Sequence, residues 1–166
     1  MALDPDDDAV SERDETPAER YDRNWIELLQ ELRVLQTGTQ ILTGFLLALA
    51  FQPAFAELAD GQRIFYLVLI VLAGLSAVIA LAPVALHRIL FRGGLKGVIV
   101  TYGHVALMTA LVIVSALLVG VVGFVFDVVV GDAAAWTAGS VLALFVVVLW
   151  VLVPLVVRAR RAEGGS

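Results

Sequence analysis

The 166-residue sequence contains no cysteine, which excludes disulfides, thiolate catalysis and cysteine-ligated metals together. It has two histidines, His87 and His104, too few for a metal site built on histidine alone. Lysine is almost missing, with Lys96 alone beside ten arginines. Long runs carry no charge, and no Asp or Glu falls inside them. A group that alternately holds a cation and a proton deep in a membrane is therefore lacking. There is no phosphate loop, no Ser–His–Asp arrangement and no nucleotide fingerprint. An enzyme is not expected, nor a cofactor, a bound metal or a nucleic-acid partner.

What is present is apolar. Hydrophobic residues make up 60% of the chain, against about 45–50% in soluble domains. The net charge of −5 is unevenly spread, since 11 of the 16 acidic residues precede residue 34. Residues 1–20 are polar and acidic, carry Pro5 and Pro17, and read as a disordered tail rather than a signal peptide. Residues 162–166 read as a flexible C-terminus. Between them, residues 21–161 form one membrane domain with charge-poor spans at about 34–56, 64–86, 98–126 and 134–157. Each is long enough to cross a hydrocarbon core of about 30 Å. The fold class expected is all-α: a polytopic integral membrane protein with four transmembrane helices in an antiparallel bundle.

The first helix has two environments. In WIELLQELR, Trp25, Leu28, Leu29, Leu32 and Leu35 share a face, with Glu27, Gln30, Glu31 and Arg33 off it. Residues 22–33 either continue the first span into the cytoplasm or lie in the membrane plane. Continuity is favoured, because no Gly or Pro interrupts before Gly38. The leucine face would then project beyond the bilayer as a partner or dimer surface. Pro53 is expected in the last turn of this span.

Polar residues enter the spans in two rows. Gln36, Thr37, Thr39, Gln40 and Thr43 line one side of the first helix. Thr101, His104, Met108 and Ser115 share a face of the third. Lipid offers no hydrogen bonds, so such rows should face other helices or water. Gln36, Thr37, Gln40, Thr43, Thr101, His104 and Ser115 are the candidate intramembrane cluster, with His104 paired to Gln36 or Gln40. Two readings stand for it: hydrogen-bonded glue between helices, or a wet path in which His104 handles protons. Gly120, Gly123, Gly139 and Ala143 read as packing surfaces.

Ten of the 11 basic residues lie on one side of this topology, with only Arg63 on the other. The positive-inside rule then puts both termini and the 87–96 loop in the cytoplasm of a cell whose inner membrane holds the protein.

The run RNWIELLQELRVLQTGTQILTGFLLALAF, followed by three further spans and the TYGH step into the third, resembles a family of small four-span membrane proteins of high-GC bacteria. The resemblance covers roughly residues 20–130, and LLQELRVLQTGTQ is its most distinctive part. The family is a domain of unknown function whose members are sometimes labelled sodium:proton antiporters. It supplies no catalytic or binding residues to carry over.

Two functions are compatible with these features. One is a non-enzymatic inner-membrane scaffold or accessory protein, self-associating or bound to another membrane protein. The other is a small channel or transporter subunit for protons or small cations. The orientation is testable without either. Cysteines placed at Asp60 and Asp132 should react with an impermeant thiol reagent on intact cells, and one at Gly94 should not. The opposite pattern overturns it.

Overall fold

The computed structural model describes residues 16–90 and 96–163, and all regular structure among them is helical. The helices are α1 (Pro17–Leu49), α2 (Asp60–Leu90), α3 (Lys96–Val129), α4 (Asp132–Val147) and α5 (Val153–Glu163). A π turn over Val148–Leu152 joins α4 to α5, just ahead of Pro154, which has no N–H to give the preceding turn. The chain thus forms four rods, each long and apolar enough to cross a membrane: Glu19–Leu49, Asp60–Ile89, Ile99–Val129 and Asp132–Ala162.

Residues 22–33 are a straight continuation of the first span, since α1 runs unbroken through them. Its start lies inside the stretch read as tail. Pro17 occupies the first turn, where its missing N–H costs nothing, and Thr16 and Glu19 close a capping box. The Thr16 hydroxyl and amide donate to Glu19 Oε2 at 2.6 and 2.8 Å. These bonds, the hydroxyl's first, hold the Glu19 carboxyl below its usual range. The rest of the expected tail, the Gly93–Gly94 turn and the last three residues lie outside the described residues.

The far end of α1 differs from expectation. The helix stops at Leu49 rather than near residue 56, because the residue before a proline is driven out of the helical region. Gln52 is extended (φ −80°, ψ 141°), and Pro53 opens a short 3-10 helix, Pro53–Glu57. Between α3 and α4, Gly131 sits at φ 120°, a conformation only glycine adopts readily.

Three rods make the core. The covered positions of α1 are Trp25, Leu28, Leu32, Leu35, Thr39, Leu42 and Leu46, alternating by three and four residues. On α2 the same alternation runs through Tyr66, Leu69, Ala73, Ser76, Ala80 and Pro83, and on α3 through Ile99, Gly103, Ala106, Ala110, Ile113, Leu117, Gly120 and Phe124. This is the periodicity of left-handed helix packing, knobs into holes. The register of α1 against α2 is fixed at both ends. Tyr66 donates its hydroxyl to the Leu46 carbonyl at 2.6 Å, and Trp25 stacks on His87 with ring centroids 4.9 Å apart.

The leucine face of α1 is therefore spent inside the chain. Leu28 and Leu32 are 6% and 2% exposed, packed with Ala80, Leu107 and Ala110, so they do not project as a partner surface. The cause is length: α2 reaches Leu90 and α3 starts at Lys96, so both run alongside residues 22–33.

The fourth rod departs from a closed four-helix bundle. It packs along α3, and none of its described residues is buried. The α3 face that meets it is small, with Val119 and Gly123 opposite Gly139 and Ala135. Contact of that kind brings backbones close without interlocking large side chains.

Ala110 sits fully covered at the centre of the seam. Ala110→Leu should lower unfolding stability by about 1–3 kcal/mol through overpacking. Val112→Leu, on the outward face, should stay within about 0.5 kcal/mol of the parent. Unfolding in detergent micelles, followed by circular dichroism, separates the two.

Candidate functional site

The seven expected polar residues do not converge. Three of their hydroxyls turn back onto their own helices. Thr37 donates to the Arg33 carbonyl at 2.9 Å, Thr43 to Thr39 at 2.7 Å and Ser115 to Leu111 at 2.8 Å. Thr39, buried in the seam, does the same to Leu35 at 2.8 Å. Each bond uses the hydroxyl's one proton locally, so none is left to donate to a neighbouring rod. Gln36 is half-buried and Gln40 exposed, and neither side chain makes a hydrogen bond among the described residues. Both lie on the flank of α1 away from α3.

The pairing of His104 with Gln36 or Gln40 is a correction the structure requires. Gly103 packs against Leu28, so close that an added Cβ would lie 2.9 Å from Leu28 Cδ1. His104 is thus level with Leu28 and Leu29, while Gln36 lies eight residues, about 12 Å of helix rise, further along. The two groups begin at different depths because α3 starts its apolar run a full three turns before α1 sheds its charges.

His104 has other company. It is exposed in a hollow of about 430 Å³ between α1 and α3, whose polar lining is Asn24, Glu27, Glu31 and Thr101. Glu27 and Glu31 lie off the leucine face of α1 in the sequence. Their nearness to His104 could not be seen from sequence, since it depends on how α1 and α3 slide against one another. Among the described residues, no three His, Cys, Asp or Glu side chains are arranged to hold a metal ion.

At the opposite end, marked by Asp60, Asp127 and Asp132, a second hollow of about 420 Å³ lies beside α3, between the start of α2 and the first half of the fourth rod. Gln62 Nε2 donates to Asp127 Oδ2 at 2.9 Å across 65 residues of sequence. Gly120 is closely covered here: a Cβ on it would lie 2.6 Å from Leu69 Cδ2, so the buried Leu69 side chain would have to move. Reading Gly120, Gly123, Gly139 and Ala143 only as packing surfaces missed this hollow. The acidic residues flanking the α3–α4 turn were the available signal.

The chain belongs to a family of unknown function. The family model, DUF6328, matches residues 14–154, which takes in the described parts of α1 to α4. Neither the curated proteins nor the solved structures contain a match to it. Family membership thus names no ligand, and the hollows must be read from their own residues.

The relative depth of α1 and α3 is directly measurable. Cysteines at Leu28 and Gly103 should be joined by a short bifunctional thiol reagent. A pair at Gln36 and His104 should not. Joining of the second pair alone would restore the expected cluster.

Proposed function

We propose that this chain is a non-enzymatic accessory or scaffold protein of the cytoplasmic membrane, with both termini cytoplasmic, that works by helix contact and self-associates. The observation that carries the reading is the fourth rod. It is the most apolar of the four, touches α3, and buries no described residue. On one side it and α3 form a shallow apolar trough of about 810 Å³, between Val122 and Phe126 of α3 and Ala134, Thr137, Val141 and Phe145 of α4. A helix laid there would complete the bundle that the chain leaves open. Close contact needs small residues, and Ala133, Ala134 and Ala138 provide them.

A flux pathway draws less support. It needs polar side chains facing one continuous wet channel. Gln36 and Gln40 occupy one flank, His104 another, and between them the seam is closed by Leu32, Thr39, Ala80 and Ala110.

The trough makes the reading testable. Ala138→Cys and Val141→Cys should give cross-linked dimers in native membranes, and Val71→Cys, on the exposed side of α2, should not. Equal cross-linking at all three, or none at any, removes self-association through the trough. Proteoliposomes should pass no more protons or sodium than protein-free vesicles across roughly pH 5 to 8. Flux that falls with acidity, and no longer does so in His104→Gln, would replace the scaffold with a channel.

A further inference from the structure

The hollow beside Asp127 lies on the other side of the fourth rod from the trough, and its parts differ in kind. Its floor is α3 at Gly120 and Gly123, and its far wall is α4 at Gly139 and Ala143. Gly120 is explained by Leu69, but Gly123 and Gly139 are not explained by crowding. A Cβ on Gly123 would come no nearer than 4.0 Å to the Ala135 carbonyl, and one on Gly139 no nearer than 3.9 Å to Val119. Both are ordinary contacts. Both glycines line the hollow, and a longer side chain at either would take up part of its volume. Phe65 and Phe124 add aromatic walls.

The mouth is acidic. Asp127 spends Oδ2 on Gln62 and has no cationic partner among the described residues. Asp132, at the first turn of α4, has none either. The nearby arginine is engaged elsewhere: Arg63 reaches Asp60 at 3.9 Å and the Leu58 carbonyl at 3.4 Å, and it does not line the hollow. Trp136, largely exposed, stands at the same mouth, and an indole face attracts cations. A volume of about 420 Å³ lies in the range of small-molecule sites, about 300–1,000 Å³, which are typically apolar with a few placed polar groups.

We propose that this hollow binds an amphiphilic monocation, a protonated or quaternary amine with an apolar body. The ammonium is held by Asp127, Asp132 and Trp136, and the body lies along Gly123 and Gly139 against Phe65. Anionic amphiphiles are refused by the two carboxylates. A bare divalent ion finds no third acidic or histidine ligand among the described residues.

The test uses the full chain in phosphatidylcholine nanodiscs, with radiolabelled dodecyltrimethylammonium as probe and equilibrium dialysis as readout. Saturable binding of one probe per chain is expected, displaced by unlabelled decyltrimethylammonium and not by dodecyl sulfate. Asp127→Asn with Asp132→Asn should weaken it at least tenfold. Gly139→Leu, which fills the hollow and leaves both carboxylates in place, should weaken it as much. Asp132 is exposed and unpaired, so Asp132→Asn alone keeps the fold and should still cost about threefold. Uptake equal to that of empty nanodiscs, or binding indifferent to Asp132→Asn or to Gly139→Leu, overturns the proposal.

Discussion

Everything in this fold depends on how closely α1 approaches α2 and α3. In lipid, association of helices draws little from apolar burial, since the acyl chains are as apolar as leucine; close packing decides it. The chain meets that requirement by opposing size. Leucines 28, 32, 35, 42 and 46 on α1 face Ala73, Ser76 and Ala80 on α2, and Gly103, Ala106 and Ala110 on α3. The register is then held by two polar-edged aromatics, Tyr66 and Trp25, one near each end. A one-residue slip would bring Leu28 off Gly103 and place Tyr66 away from the Leu46 carbonyl. The fourth rod has no such seam, and it lies against α3 as an edge.

The sequence revealed which segments are helical rods more faithfully than where those rods end. Charge-free windows measure apolarity, and Phe51, Ala54 and Phe55 are apolar yet lie beyond the end of the α-helix, because Pro53 redirects the backbone into a short 3-10 helix. The amphipathic face at Trp25, Leu28 and Leu32 was legible as a face needing cover. Its cover was not, since periodicity within one helix carries nothing about the length of its neighbours. The polar rows failed for another reason. Thr37, Thr43 and Ser115 each found an acceptor four residues back on the same helix, an option that a face-based reading overlooks. Gln36 and His104 were both placed early in their spans, yet α1 and α3 enter the bundle at different points of their own sequences.

α3 is the hub. It packs against α1, α2 and the fourth rod, and its composition fits that position, with small residues spread around its circumference. Leu28 and Leu69 crowd Gly103 and Gly120 in the core. Gly123 faces the fourth rod with space to spare. A helix with one wide apolar stripe could not have served three neighbours.

The early stop of α1 shapes more than its own loop. Between Arg33 and Leu49 it offers only residues 34–49 as uncharged helix, about 24 Å of rise. The uncharged run of α2, residues 64–86, gives about 34 Å, and that of the fourth rod, residues 133–157, about 38 Å. The uncharged helical length thus differs from one side of the molecule to the other. Were the four rods set in a bilayer of uniform thickness, the mismatch would fall unequally on the two sides, and the bundle would favour a tilt toward the shorter one.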